Sequence, residues 1–187
     1  MSGADADATQ TLPKAVFLDR DGVLNRALVR DGRPYSPTTN AEFVILDEAR
    51  IACRLLKENG FFLLCVTNQP DIARAITPSA TVDSFNEELR RTLALDDVFV
   101  CPHEDADACA CRKPKPGLLQ MGAAKYGLDL TACFMVGDRW RDIEAGQAAS
   151  CRTVFIDRGY CERSPFGADY VTTSVIEAAE WILSLSA

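Results

Sequence analysis

The sequence predicts one doubly wound α/β domain built on a mostly parallel sheet. Short apolar runs alternate with amphipathic segments along most of the chain, and this alternation is typical of β-α-β units. The apolar runs are rich in Val and Phe and lack the polar–apolar alternation of half-exposed strands, so we predict parallel strands buried on both faces. A chain of 187 residues has room for one domain with a full core, and it contains no internal repeat or interdomain linker.

The predicted elements follow one another in a regular order. Five runs are predicted as strands: KAVFL, FFLLCV, DVFVC, ACFMV and CRTVFI. The segment DEARIACRLLKENG is predicted as a helix that ends at Asn59-Gly60, a pair that favours a left-handed C-terminus. TPSATVDSFNEELRRTLAL is predicted to start with Thr77 as N-cap and Pro78 in the first turn, and KPGLLQMGAAKYG to end at Gly127.

The last predicted helix covers about residues 174–185. Its apolar stripe contains Val175, Ala178, Trp181, Ile182 and Leu185. This spacing predicts that Trp181 is a core residue and not a ligand contact. Residues 26–43 and 101–116 do not fit the alternation, and loops of that length in a compact domain are usually functional.

Composition narrows the classes of function. Apolar residues make up 48% and charged residues 25%, as in a globular protein, and the net charge of −7 argues against a nucleic-acid or anionic-membrane partner. The run FFLLCV is too short to span a bilayer, and MSGADADATQT lacks the features of a signal peptide. We therefore predict a cytoplasmic monomer with a disordered tail at 1–12 and a single domain at 13–187.

Acids and a hydroxyl follow three of the predicted strands. The residues at these strand ends are Asp19, Asp21, Thr67, Asn68, Gln69, Gly137 and Asp138. Each alone would be read as a helix N-cap, but the carboxyl ends of parallel strands meet at one edge, where ligands bind. Such a group, with the basic pair Arg112-Lys113, indicates phosphoryl transfer. Mg²⁺ prefers carboxylate oxygens as ligands. One aspartate can attack phosphorus, and a second can protonate the leaving oxygen and later deprotonate water. Thr67 and Lys113 suit contacts to the transferred phosphate.

A second cluster lies in residues 101–111. Three of the eight cysteines and the only histidine form the pattern Cys101-x-His103, five residues, then Cys109-x-Cys111. Four such ligands in two close pairs predict a closed, structural Zn²⁺ site, and the alternative is a set of incidental thiols. The other cysteines are predicted to be small core residues: Cys53, Cys65, Cys133, Cys151 and Cys161.

The strand-end residues resemble the four motifs of haloacid dehalogenase superfamily phosphatases. In order, these are Asp19-Arg20-Asp21-Gly22, Thr67, Arg112-Lys113-Pro114, and Gly137-Asp138 with Asp142. The resemblance spans about residues 14–156 and implies a Rossmann-like core, and too few residues remain for a large cap domain. It further implies that Asp19 is the nucleophile and Asp21 the general acid/base. Mg²⁺ would be held by the Asp19 carboxylate, the Asp21 backbone carbonyl and Asp138, with Asp142 behind these ligands.

Within that superfamily, the patterns DRDGxxN, TNQ…IAR and CPH…CxCRKPxPG are similar to one branch. It contains the D-glycero-D-manno-heptose 1,7-bisphosphate phosphatases and the related histidinol-phosphate phosphatases. This resemblance implies substrate contacts by Arg112 and Arg139, and we predict further contacts by Arg20, Asn68 and Gln69.

We favour a sugar bisphosphatase that acts on this heptose bisphosphate. Histidinol-phosphate phosphatase is one alternative, and a non-catalytic zinc-stabilised binding module is another. Pro70, Asp71 and Ala75 depart from the pattern of the branch. Four side chains in the long segment after Asn25 could line the pocket or be solvated: Arg26, Arg30, Arg33 and Tyr35.

Overall fold

A six-stranded parallel sheet forms the centre of the computed structural model, which describes residues 13–185. The predicted disordered tail at 1–12 lies outside the described residues. The strands of this sheet are β1 (Ala15–Leu18), β4 (Phe62–Asn68), β5 (Asp97–Cys101), β6 (Phe134–Gly137), β7 (Arg152–Ile156) and β8 (Tyr170–Thr172). Their order is β5-β4-β1-β6-β7-β8, and every neighbouring pair is parallel. The predicted fold class and all five predicted strands are therefore confirmed.

Helices cover both faces of the sheet. They are α1 (Asp47–Glu58), α2 (Ser79–Leu93), α3 (Gly117–Tyr126), α4 (Trp140–Ala148) and α5 (Val175–Ser184). Residues of α1, α2 and α5 belong to one buried apolar cluster, and residues of α3 and α4 belong to the other. Successive side chains of β1 alternate between the two clusters, since Val16 lies in the first and Phe17 in the second. Within residues 13–185, no helix is long and apolar enough to cross a membrane.

The edges of the sheet differ from the prediction. DVFVC forms β5, but four of its five residues are only partly buried because this strand has a neighbour on one side only. The opposite edge is β8, a three-residue strand that has no apolar run long enough to reveal it. Residues 26–43 contain a short antiparallel hairpin of β2 (Leu28–Arg30) and β3 (Arg33–Tyr35).

Helix ends follow the local signals with one exception. Gly60 and Gly127 have positive φ angles of 82° and 63° after α1 and α3, as predicted. The prediction that Thr77 caps α2 was wrong, because Pro78 occupies the N-cap position. The Thr77 hydroxyl is buried, and it has no hydrogen-bond partner in the described part of the chain.

The apolar stripe of α5 is confirmed except at its last position. Trp181 stacks on Tyr170 with ring centroids 5.1 Å apart, and it contacts Phe134 edge-on at 6.1 Å. Leu185 is 44% exposed, since it lies just beyond the last helical residue. Trp181 is thus partly buried and packs against the core.

The order of the strands decides where a ligand can bind. The chain moves outward from β1 to β4 and β5, then crosses back to β6 on the other side of β1. In open α/β sheets, a crevice forms beyond the carboxyl ends of the two strands at such a reversal. Asp19 directly follows β1 and Asp138 directly follows β6, so the fold places both aspartates at this crevice.

Candidate active site

Three carboxylates and one ammonium group form the centre of the crevice. Oxygen atoms of Asp19, Asp138 and Asp142 lie within 4.8 Å of one another, and all three residues are buried. Lys113 Nζ lies 2.6 Å from Asp19 Oδ1 and 2.6 Å from Asp142 Oδ1, and it donates a 2.7 Å hydrogen bond to the Val66 carbonyl oxygen. The structure therefore brings together predicted residues from β1, β6 and the loop before α3.

Burial and like charges perturb the ionisation of these groups. Burial raises the pKa of Asp19 to about 6, although the Lys113 ammonium opposes that rise. Burial, together with the charges of Asp19 and Asp142, raises the pKa of Asp138 well above its usual value. The pKa of Lys113 is raised because its two carboxylate partners outweigh the effect of burial. The cluster thus contains more negative charge than one lysine can balance.

The carboxylate cluster has the properties of a magnesium site. Asp138 Oδ1 is buried without a hydrogen-bond partner among residues 13–185, while Oδ2 accepts a 2.8 Å bond from the Tyr160 hydroxyl. When all are ionised, the three carboxylates and one ammonium leave two negative charges, which a divalent cation would neutralise. Since carboxylate oxygens are the ligands that Mg²⁺ prefers, the donor set fits this ion.

Gly22 allows the loop after β1 to approach Asp138. Its φ is +97°, and a Cβ atom there would lie 1.8 Å from Asp138 Oδ2. Any other residue would displace the carboxylate or the loop.

Four side chains donate hydrogen bonds to Asp21. The donors are Arg20 through Nε at 3.1 Å and Nη2 at 3.0 Å, Asn25 at 2.9 Å, Ser36 at 2.7 Å and Gln69 at 2.9 Å. Burial alone would raise the pKa of Asp21, but the Arg20 charge and the hydrogen bonds from Arg20, Ser36 and Asn25 lower it. Asp21 therefore remains an oriented carboxylate facing the same cavity as Asp19.

Two predicted substrate contacts lie behind Asp21. The Arg20 side chain is fully buried and also donates a 3.2 Å bond to Asn86 on α2. Gln69 is 2% exposed and donates to the Thr67 hydroxyl at 3.0 Å. Neither Arg20 nor Gln69 lines the cavities beside the reaction centre, so their placement does not fit a direct role in substrate binding.

Asn68 and Thr67 follow the prediction more closely. Thr67 is buried at the end of β4 and lines a cavity of about 60 Å³ together with Asp19 and Lys113. The Asn68 amide accepts a 3.1 Å hydrogen bond from the Lys113 backbone N–H and donates one of 3.0 Å to the Lys113 carbonyl oxygen. Asn68 thereby fixes the loop that carries the lysine.

A wider basic pocket of about 280 Å³ adjoins the small cavity. Its cationic side chains are Arg33, Arg74, Arg112, Arg139 and Arg141. Tyr35 also lines it, whereas Arg26 and Arg30 do not.

The pocket arginines have acidic partners. Arg139 forms a two-point ion pair with Glu162, and Arg74 pairs with Asp71 and Glu104. Burial would lower the pKa of Arg139, but its pairing with Glu162 raises it. Asp71, one of the departures from the branch pattern, is therefore paired within the protein.

Two loops form the outer walls of the wider pocket. One is the β2–β3 hairpin, and the other is the segment at 157–169. The Cys161 backbone N–H donates a 2.7 Å hydrogen bond to the Gly32 carbonyl oxygen and joins them. Gly32 has a φ of +73°, and a Cβ atom there would lie 2.5 Å from Cys161 Sγ. Cys161 is exposed, so it was wrongly predicted as a core residue, whereas the other four predicted core cysteines are buried.

The predicted zinc ligands lie together after β5. The Sγ atoms of Cys101, Cys109 and Cys111 are 3.1–3.7 Å apart, and His103 Nδ1 lies 3.6 Å from Cys101 Sγ and 3.4 Å from Cys111 Sγ. Tetrahedral zinc with bonds of about 2.3 Å to sulfur requires sulfur–sulfur separations of about 3.8 Å, so the four atoms nearly match the ion. Gly117 lets this loop pack on α3, because a Cβ atom there would lie 2.3 Å from the Ala110 carbonyl oxygen.

Several residues at the site were missed in the sequence. They are Ser36, Asp105, Arg141, Tyr160 and Glu162. Arg141 stands three residues after Asp138 in the first turn of α4, and this spacing was the available signal. The others lie in loops, where spacing along the chain does not reveal which groups meet.

Comparison with known proteins agrees with this geometry. A family model for HAD-hydrolase-like proteins matches residues 110–178. A D-glycero-beta-D-manno-heptose-1,7-bisphosphate 7-phosphatase of Yersinia pestis is 36% identical over 188 residues, which cover 94% of this chain and 92% of that protein. The Bordetella bronchiseptica enzyme of the same name is 34% identical over 151 residues, with 78% and 82% coverage.

Solved structures give the same result. The chain is similar to the crystal structure of D,D-heptose 1,7-bisphosphate phosphatase from B. bronchiseptica complexed with magnesium and phosphate. The TM-score is 0.80 at 30% identity, with 93% of this chain and 99% of that chain covered. A HAD-like phosphatase structure from Mesorhizobium loti, at 24% identity and a TM-score of 0.76, shares the fold, with 97% of this chain and 91% of that chain covered. The chain therefore belongs to the haloacid dehalogenase superfamily of phosphatases, in the family of the heptose 1,7-bisphosphate phosphatases.

Proposed function

We propose that this chain removes the 7-phosphate of D-glycero-D-manno-heptose 1,7-bisphosphate, with Mg²⁺ as cofactor. The observation that carries this proposal is the Asp19–Lys113–Asp138 cluster at the strand reversal, directly beside a pocket lined by five arginines. The names of the relatives from Y. pestis and B. bronchiseptica support the choice of substrate.

Asp19 is proposed as the nucleophile. One of its oxygens forms a bond to the phosphorus atom while the bond from phosphorus to the sugar oxygen breaks, which gives an aspartyl-phosphate and, once that oxygen is protonated, the free sugar hydroxyl. Lys113, 2.6 Å from Asp19 Oδ1, and the Thr67 hydroxyl are placed to bind the oxygens of the transferred phosphate. Asn68 keeps the lysine loop in position through its two backbone hydrogen bonds.

Asp21 is proposed as the group that moves protons. Once protonated, Asp21 donates its proton to the leaving sugar oxygen, and it regains a proton from the water that hydrolyses the aspartyl-phosphate. Its four side-chain donors favour the carboxylate, so some of those hydrogen bonds must open before Asp21 takes up the proton that it later donates. Ser36, on the loop after β3, is the donor nearest to the substrate pocket.

Magnesium would be held by the carboxylates of Asp19 and Asp138, together with the Asp21 backbone carbonyl, while Asp142 orients Lys113. When bound, the ion neutralises negative charge on the phosphate and on the carboxylates around it. Zinc, held by Cys101, His103, Cys109 and Cys111, is proposed to be structural.

Arg112 and Arg139 are proposed to contact the phosphate that is not hydrolysed, since both line the wide pocket. The substrate is thus a small phosphorylated sugar. A monomeric state, a single domain at 13–187, a cytoplasmic location and the absence of nucleic-acid and membrane partners remain predictions.

The test measures phosphate release from heptose 1,7-bisphosphate and from histidinol phosphate, and ³¹P NMR identifies which phosphate is lost. We expect Mg²⁺-dependent loss of the 7-phosphate and no detectable release by Asp19→Asn, because an amide is neither a nucleophile nor a good ligand for this ion. Asp47→Asn is the matched control, since that side chain is 99% exposed, and it should retain full activity. Preference for histidinol phosphate would overturn the substrate, and binding without turnover would indicate the binding-module alternative.

A further inference from the structure

Arg141 reaches both cavities of the site. It is the second residue of α4, and its side chain lines the small cavity that contains Asp19 as well as the wide basic pocket. Its side chain is 23% exposed, so the guanidinium is held against protein while one edge remains accessible. No role was predicted for this residue.

The Arg141 guanidinium is held in one orientation by two neighbours. Asp105 on the zinc loop accepts from Nη1 at 3.3 Å and from Nη2 at 3.2 Å. The guanidinium carbon lies 4.6 Å from the ring centre of Trp140, and Arg163 lies over the same ring at 3.7 Å. An arginine fixed in this way loses little side-chain entropy when it binds an anion.

Charge in the wide pocket is not evenly balanced. Arg139 has its own carboxylate, Glu162, whereas the single carboxylate of Asp105 serves both Arg112 and Arg141. One acid against two arginines leaves one positive charge at the Arg112–Arg141 pair. Among the described residues, no group accepts a hydrogen bond from Arg141 Nε or Arg112 Nη2, so each arginine has a free donor.

We propose that Arg141, together with Arg112, binds the phosphate group that the enzyme does not hydrolyse. This inference rests on the proposed function, in which the substrate is a sugar bisphosphate, and it adds a specificity-determining residue to that reaction. Binding at a second phosphate holds the reacting end in line with Asp19. Arg139 is already paired with Glu162, so it contributes less than Arg112 and Arg141 to the binding of this phosphate.

The experiment compares kcat/KM for heptose 1,7-bisphosphate with that for heptose 7-phosphate, which has the reacting phosphate only. Arg141→Met keeps much of the side-chain length and removes the charge. We expect kcat/KM for the bisphosphate to fall about 10- to 100-fold, and that for the monophosphate to stay within about twofold. Arg141→Lys, which keeps the charge but not the fork, should give an intermediate loss and serves if the methionine variant does not fold.

Arg163→Met is the matched control. Arg163 also lies over the Trp140 ring and pairs with Glu144, but it does not line either cavity around Asp19. The Arg163→Met variant should have the same kcat/KM as the wild type for both substrates. Calorimetry in the inactive Asp19→Asn background supplies a readout of binding alone, and there Arg141→Met should weaken bisphosphate binding by a similar factor.

The outcomes separate this inference from the proposed function. Suppose that the wild type hydrolyses the bisphosphate while Arg141→Met lowers kcat/KM equally for both substrates or for neither. In that case the role of Arg141 is overturned and the proposed function stands. An equal loss in Arg163→Met would also overturn it, since the effect would then act through Trp140. If the wild type does not hydrolyse the bisphosphate at all, the proposed function fails and this inference fails with it.

Discussion

Replacing Lys113 by methionine should destabilise the protein strongly. Lys113 is 1% exposed, and its Nζ lies 2.6 Å from carboxylate oxygens of both Asp19 and Asp142. Its removal leaves two buried carboxylates without their counter-charge, and breaking a buried pair in this way costs about 3–5 kcal/mol. For a domain of this size, each kcal/mol lowers Tm by about 2–4 °C, so we expect a fall of roughly 6–20 °C.

The assay is thermal unfolding by circular dichroism in buffer without Mg²⁺. Lys125→Met is the matched control, because Lys125 Nζ also lies 2.6 Å from a carboxylate, that of Asp97, but the lysine is exposed to solvent. Its Tm should stay within error of the wild type. The double variant Lys113→Met/Asp142→Asn should recover part of the loss, since one of the two uncompensated charges is removed. A loss below about 1 kcal/mol in Lys113→Met would refute this reasoning about the buried cluster.

Two further predictions concern the metal sites. Purified protein should contain about one Zn²⁺ per chain, and Cys109→Ser should lower that content because one thiolate of the four-ligand set is lost; unchanged zinc would contradict the assignment. Tyr160→Phe should weaken Mg²⁺ binding about 10- to 100-fold by calorimetry, because its hydroxyl orients Asp138 through a 2.8 Å hydrogen bond. The control is Tyr126→Phe, because the Tyr126 hydroxyl donates to the Asp96 carbonyl oxygen far from the site, and this variant should bind Mg²⁺ as the wild type does. Equal Mg²⁺ affinities in the two variants would refute the role of Tyr160.

Local patterns were enough to predict five strands of the six-stranded sheet and the residues that follow their ends. A parallel strand buried on both faces is a run of apolar residues, so the positions of such strands can be read from the local sequence. The carboxyl ends of β1 and β6 then place Asp19 and Asp138 at one crevice. The predicted zinc ligands were equally visible in the sequence. They form two close pairs within eleven positions, so a single loop is enough to bring them together.

Long-range pairing was not visible in the same way. Asp105 meets Arg141 across 36 residues, and Glu162 meets Arg139 across 23, through loops whose conformation no periodicity describes. The surroundings of Arg20 were hidden for the same reason. Its buried side chain donates to Asp21 and reaches Asn86 on α2, 66 residues away along the chain.

The joint between Gly32 and Cys161 has a consequence for how this enzyme could change over evolutionary time. Asp19 and Thr67 stand at strand ends within the core, whereas the outer walls of the wide pocket are two loops joined by a backbone hydrogen bond. A side chain at position 32 would clash with Cys161 Sγ, so the two loops would have to shift relative to each other. Substitutions in these two loops can therefore alter the shape of the substrate pocket without replacing Asp19, Thr67 or Lys113.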